Sequence, residues 1–118
     1  VQIRFDANLS LTLPPREETT VRSTHSLPAG ANVFALTTHT HQLGIESTLT
    51  RVVESESTLL HRSTTWAEPP LDVFTPALVI GGSERLELVC RYQNTTDETV
   101  GFGTGFRAEM CFYWAFYY

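Results

Sequence analysis

The chain has 118 residues, of which 42% are hydrophobic, and its formal net charge is −5. This length suits one domain that buries a core, and the apolar content excludes a disordered chain. The 8 Lys+Arg residues, set against 13 Asp+Glu residues, argue against a nucleic-acid partner, because such proteins neutralise phosphates with basic patches. No apolar run reaches the roughly 18 residues of a membrane-spanning helix, and no signal peptide is evident, so we expect no membrane span.

Short strand-like segments recur along the chain, and no stretch keeps a 3.6-residue apolar period beyond about two turns. Turn-forming Pro, Gly and Asn residues separate these segments. The predicted strands, in chain order, are 3–13, 19–27, 33–41, 46–54, 57–65, 73–80, 85–93, 99–103 and 108–118. The expected fold is therefore an all-β, antiparallel, jelly-roll-like β-sandwich of eight to nine strands. Residues 1–118 would form a single domain. Since the chain begins with Val1 and ends in an apolar run, we expect a fragment of a longer protein or a processed product.

Two histidines, His39 and His41, lie in the predicted strand 33–41. Because residues i and i+2 of a strand point to the same face, their imidazoles would project side by side and could hold one metal ion. This pattern alone supports a metal site and a pair of exposed strand histidines equally well.

The single methionine, Met110, precedes a strongly apolar segment. A methionine in a β-sandwich is usually core filling, although a thioether is also a soft ligand that favours Cu(I). The sequence spacing does not place Met110 beside the histidines.

The two cysteines, Cys90 and Cys111, match none of the common zinc-binding spacings. In an oxidising compartment they could form a disulfide, whereas in a reducing one they would be free thiols, metal ligands or redox groups. Their spacing alone leaves these alternatives open.

Three motifs occur together: His-Thr-His-Gln-Leu-Gly at 39–44, Cys-Arg-Tyr-Gln-Asn-Thr-Thr at 90–96 and Glu-Met-Cys at 109–111. In this order and spacing they resemble the C-terminal domain of the copper type II, ascorbate-dependent monooxygenases. That family includes peptidylglycine α-hydroxylating and dopamine β-monooxygenases. The resemblance covers roughly residues 30–118, and the N-terminal stretch matches less clearly.

The resemblance implies one copper per chain, held by His39, His41 and Met110, with no catalytic residue beyond these ligands. It also implies a Cys90–Cys111 disulfide and hence an oxidising location, which would be extracellular, periplasmic or a secretory lumen. In the full enzyme, ascorbate is the reductant, and dioxygen is activated at this copper to hydroxylate a small-molecule substrate.

The resemblance further implies an N-terminal partner domain that carries a second copper on three histidines. Without that domain, the isolated chain is not expected to hydroxylate a substrate efficiently. The alternative function is a stand-alone copper-binding module for storage, delivery or sensing. A structural sandwich with a vestigial site is a third hypothesis, and the presence of all the implied ligands and cysteines argues against it.

Three positions depart from the peptidylglycine branch of the family. Thr37 stands where that branch has an Arg, and Phe112 and Trp114 stand where it has an Asn and a Tyr. Because polar groups for binding a carboxylate are missing, we expect a hydrophobic or aromatic substrate instead of a peptidylglycine. Phe112 is expected to pack in the core, and Trp114 is a candidate for the substrate side.

Four further residues carry expectations. His25 is expected at the surface or in support of the site, and a position on a strand beside His39 is the alternative. Glu109 either hydrogen-bonds nearby backbone or a ligand histidine, or is a surface carboxylate. His61 is expected to be solvated, and Trp66 is expected to anchor the packing.

Overall fold

The computed structural model describes all residues from Val1 to Tyr118 and contains ten strands and no helix. The structure therefore has no helix that is long and apolar enough to cross a membrane. The strands are β1 (Gln2–Ala7), β2 (Thr12–Leu13), β3 (Glu18–His25), β4 (Ala31–His39), β5 (Gly44–Val53), β6 (Glu56–Ser63), β7 (Asp72–Ile80), β8 (Arg85–Gln93), β9 (Val100–Gly101) and β10 (Phe112–Tyr117).

Two four-stranded antiparallel sheets, ordered β1-β10-β4-β7 and β3-β8-β5-β6, form the sandwich, and β2 pairs with β9 in a short third sheet. The expected all-β sandwich is confirmed. The predicted strand 3–13 is divided into β1 and β2, and the turn between them begins at Asn8. Its side-chain oxygen accepts the Ser10 N–H, 3.0 Å away, and its own N–H donates to the Cys111 carbonyl.

Alternation along the strands builds the core between the two main sheets. On β8 the buried side chains are Leu86, Leu88, Cys90 and Tyr92, each separated by a residue that faces outward. On β10 the buried residues are Tyr113, Ala115 and Tyr117. Since Phe112 and Trp114 have the opposite parity to Tyr113, both lie on the outer face of the sheet. The expectation that Phe112 packs in the core was therefore wrong.

The disulfide Cys90–Cys111 is present, with the two Cα atoms 6.1 Å apart. It joins β8 of one sheet to the residue that precedes β10 of the other, and both half-cystines are fully buried. The bridge therefore crosses the interior of the sandwich. It is consistent with an oxidising compartment.

His61 is buried, which corrects the expectation that it is solvated. Its Nδ1 lies 2.7 Å from an Asp72 carboxylate oxygen, and its Nε2 lies 2.9 Å from the Thr38 hydroxyl. The cause is a β-bulge: Leu49 pairs with His61, whereas the next residue of β5 pairs with Leu59. Because the extra residue reverses the alternation of β6, the imidazole faces inward beside the core.

Candidate metal centre

The candidate site begins where β4 ends at His39 and the chain turns into β5. The turn is closed by the Gly44 N–H, which donates to the His41 carbonyl at 3.0 Å. A Cβ atom on Gly44 would collide with the side chain of Thr40, so a glycine is required at this position. The Gln-Leu-Gly sequence after the histidines thus produces a tight turn that returns the chain directly into the sandwich.

The two imidazoles of His39 and His41 are adjacent, with ring centroids 5.2 Å apart and ring planes inclined at 78°. Partial burial, and to a lesser degree the neighbouring His41, lower the pKa of His39. His39 is consequently neutral at neutral pH, which is the form that binds a metal ion. The juxtaposition that the His-x-His spacing predicted is therefore present.

The His41 ring is held in one orientation. Its Nδ1 lies 2.8 Å from the Ala108 carbonyl, which can only accept, so Nδ1 carries the hydrogen. The other ring nitrogen, Nε2, is then the one with a free lone pair. A hydrogen bond of this kind sets the tautomer and orientation of many metal-bound histidines.

Glu109 connects the histidine turn to the segment that bears the methionine. Its carboxylate accepts the backbone N–H groups of His41 and Leu43 at 2.8 and 2.9 Å. The side chain is fully buried, and this burial raises its pKa despite the two hydrogen bonds, which favour the charged form. Of the two expected roles, bonding to nearby backbone is correct and a surface carboxylate is wrong.

Met110 is 9% exposed and lies in a segment that is fixed on both sides. Glu109 before it bonds to the histidine turn, and Cys111 after it is tied to β8 by the disulfide. The Tyr92 hydroxyl donates to the Met110 carbonyl at 2.5 Å, and burial raises the pKa of Tyr92. The fold thus brings the backbone of Met110 next to the His39–His41 turn.

We expect Tyr92→Phe to destabilise the fold by about 1–3 kcal/mol, because it leaves the buried Met110 carbonyl without this donor. Urea unfolding measures the change. Tyr117→Phe is the matched control: its hydroxyl donates to the exposed Gln2 side chain, which water can satisfy. A cost for Tyr92→Phe no larger than the control's would contradict this role for Tyr92.

The His39 side of the site is aromatic. The Trp114 and Phe112 rings lie 5.9 and 6.3 Å from the His39 ring, between centroids. Thr37 is directly opposite Trp114 in the sheet, and its hydroxyl donates to the Pro70 carbonyl at 2.9 Å. The three positions that depart from the peptidylglycine branch therefore share one face near His39.

His25 does not join the pair. It lies on β3, which neighbours β8 and not β4, so the expected alternative of a strand beside His39 was wrong. Its ring packs against Tyr113, with centroids 5.3 Å apart, and its Nε2 is 2.8 Å from the Ser23 hydroxyl. Burial lowers the pKa of His25.

Two aromatic residues near His41 were misjudged or missed. Trp66, expected to anchor packing, is 46% exposed and lines a cavity with His41. Phe106 lines the same cavity, and the sequence offered no signal for it.

Tyr92 was also missed, although the alternation of Leu88 and Cys90 along β8 would have placed it inward.

No group of three or more His, Cys, Asp or Glu side chains is arranged to hold a metal ion. A metal on the histidine pair would therefore need a third ligand of another kind, or solvent. Met110, which directly follows Glu109 and is the only methionine of the chain, has a soft thioether donor. Two imidazoles and a thioether form a donor set that suits copper better than zinc.

These features define an antiparallel β-sandwich with paired imidazoles at a strand end, linked to a disulfide-anchored methionine segment. The family described as copper type II ascorbate-dependent monooxygenase, C-terminal domain, matches residues 15–118. The chain belongs to this family, whose enzymes depend on copper and ascorbate, and it corresponds to their C-terminal domain. A search of curated individual proteins finds no match.

Proposed function

We propose that this domain binds one copper ion through His39, His41 and Met110. It would form the oxygen-activating half of a monooxygenase that hydroxylates a C–H bond of a substrate other than a peptidylglycine. The observation that carries the proposal is the fixed His41 ring. Its Nδ1–H donates to the Ala108 carbonyl, so Nε2 is the ring nitrogen that can bind a metal ion. The turn that bears His41 is hydrogen-bonded to Glu109, the residue before Met110.

Each proposed ligand has a stated contribution. His39 and His41 supply imidazole nitrogens, and Met110 supplies a thioether that favours the reduced metal. Bound copper would provide the one-electron redox chemistry that dioxygen activation requires. The protein's own part is to hold the His41 ring in place: its Nδ1–H donates to the Ala108 carbonyl, and the His41 backbone N–H donates to the Glu109 carboxylate.

The residues beside His39 support an apolar substrate. Phe112 and Trp114 present aromatic surface, and the Thr37 hydroxyl is already bonded to a backbone carbonyl. None of these three side chains offers a cation or a free amide to a carboxylate. A substrate bound on this face would be held by apolar contact, which disfavours a peptide with a terminal carboxylate.

The histidine count supports a separate electron-donating domain. The chain has 4 histidines, and the two outside the pair are engaged elsewhere, His25 with Ser23 and His61 with Asp72 and Thr38. A second, three-histidine copper site would therefore belong to an N-terminal partner domain, with ascorbate as the reductant. The buried disulfide supports an extracellular, periplasmic or secretory-lumen location.

X-ray absorption on the copper-loaded, ascorbate-reduced protein tests the ligand set. We expect two nitrogen scatterers at about 2.0–2.1 Å, the usual imidazole distance for a bound metal, together with one sulfur scatterer. Met110→Leu keeps an apolar side chain of similar volume but has no sulfur, so its spectrum should lack that scatterer. A sulfur signal that persists in Met110→Leu, or is absent from the unsubstituted protein, would reject Met110 as a ligand.

A stand-alone copper-binding module for storage, delivery or sensing is the second candidate. It is favoured by the fact that all three proposed ligands come from this one domain. The two functions differ in what lies before this domain in the full-length protein. A preceding domain with a three-histidine copper site supports the monooxygenase, and a full-length protein without such a domain supports the module.

A further inference from the structure

A cavity of about 210 Å³ opens on the His41 side of the imidazole pair. His41, Gln42, Trp66, Thr104 and Phe106 line it. Two of these are large aromatic side chains that remain in solvent, since Trp66 is 46% and Phe106 is 75% exposed. Exposed aromatic side chains gathered around one concavity are typical of binding sites.

One wall of the cavity is held by a hydrogen bond, and a guanidinium lies beside a second wall. The bond from Nδ1 to the Ala108 carbonyl holds the His41 ring. The Arg107 guanidinium lies 5.7 Å from the centroid of the Phe106 ring, a cation–π contact that favours one orientation of that ring. Because the His41 ring is already held, the entropy cost of binding a small ligand against it is reduced.

The chemistry of the lining selects against charge. None of the five lining residues is an Asp, Glu, Lys or Arg. The charged side chains of Arg107, Glu109, Asp97 and Glu98 line the neighbouring cavity, which lies on the other side of Gln42 and Phe106. The volume is below the roughly 300–1,000 Å³ of pockets for drug-sized ligands, which restricts an occupant to about one ring.

We propose that this cavity binds an uncharged, single-ring aromatic group and holds it between Trp66 and Phe106 against His41. Aromatic rings interact favourably in stacked or edge-to-face contact, and the cavity offers both walls for it. The site is separate from the Phe112 and Trp114 surface, which lies on the His39 side. The inference rests on the proposed function in one respect: if the domain is half of a monooxygenase, the bound ring is part of its substrate.

The test uses 4-fluorophenol as the probe and the whole, copper-free chain, with ¹⁹F NMR to measure the dissociation constant. Trp66→Ala and Phe106→Ala should each weaken binding by about fivefold, the scale of one lost aromatic contact. Tyr118→Ala is the control. Tyr118 is an aromatic residue of similar exposure that follows β10 at the end away from His39, so its loss should leave binding unchanged. Both cavity side chains are exposed, so their variants are expected to fold.

Two further probes define the ligand class. 4-Fluorobenzoate, which is charged, should bind with lower affinity than 4-fluorophenol. Cyclohexanol, which is not aromatic, should compete only weakly with 4-fluorophenol for the cavity. Equal affinity of the charged probe, or unchanged binding in both Trp66→Ala and Phe106→Ala, would overturn the proposal.

A measurement with added copper tests this proposal separately from the proposed function. Cu(II) added to the complex should broaden the fluorine signal of the bound probe if the metal sits on His41. Binding that depends on Trp66 but shows no such broadening upholds the aromatic cavity and counts against the copper site. Broadening that persists in Trp66→Ala, with undiminished probe affinity, upholds the copper site and counts against the cavity.

Discussion

Copper binding is expected to fall from about one ion per chain to near zero in the double variant His39→Ala/His41→Ala. The loss of a supporting hydrogen bond alone typically costs a metal site about 10–100-fold in affinity, and removing two of three ligands costs more. The remaining thioether of Met110 is a weak ligand by itself. Equilibrium dialysis against a competing chelator, with metal analysis of the retained protein, measures the change.

Two controls accompany this double variant. His25→Ala removes a partly buried imidazole that packs against Tyr113, away from the pair, and should keep its copper. Urea unfolding should show that the double variant remains folded, since both ligand side chains are only half-buried. A copper content unchanged in the double variant would reject the site.

The second large effect concerns the disulfide. We expect Cys90→Ala/Cys111→Ala to lower the free energy of unfolding by about 3 kcal/mol, because a bridge between residues 21 apart restricts the unfolded chain. The bridge also joins the two sheets and anchors the Met110 segment. Urea unfolding at fixed temperature gives the difference, and the copper affinity of the variant shows whether the anchoring matters for metal binding.

Reductant supplies the control for this prediction. Dithiothreitol should destabilise the unsubstituted protein by a similar amount and leave the cysteine-free variant unaffected. A count of two free thiols in the denatured, non-reduced protein would show that the bridge does not form in solution.

The fold class could be predicted from the sequence because it depends on local pattern. The two-residue alternation along β8, visible in Leu86, Leu88 and Cys90, sets which side chains face the core, and turn residues set the strand limits. The His-x-His spacing likewise predicted adjacent imidazoles, but β4 ends at His39, so His41 lies in the following turn and strand geometry accounts for only part of the arrangement. The cysteine pairing needed more than spacing: family resemblance suggested it, and the structure contains it.

Strand irregularities and long-range contacts could not be predicted in this way. His61 faces inward only because a bulge opposite Leu49 reverses the phase of β6, and no residue type marks that bulge. Phe112 faces outward because its parity is set by the pairing of β10 with β4, not by its hydrophobicity.

The strand pattern, the His-x-His spacing and each of the three family motifs could be recognised from the sequence alone, because each consists of residues close together in the chain. The links from Glu109 to the histidine turn and from Tyr92 to Met110, and the cavity between Trp66 and Phe106, were decided only by the tertiary structure. Each joins segments between 18 and 68 residues apart or packs side chains from separate loops. Such contacts depend on how the two sheets pack, which local pattern does not encode.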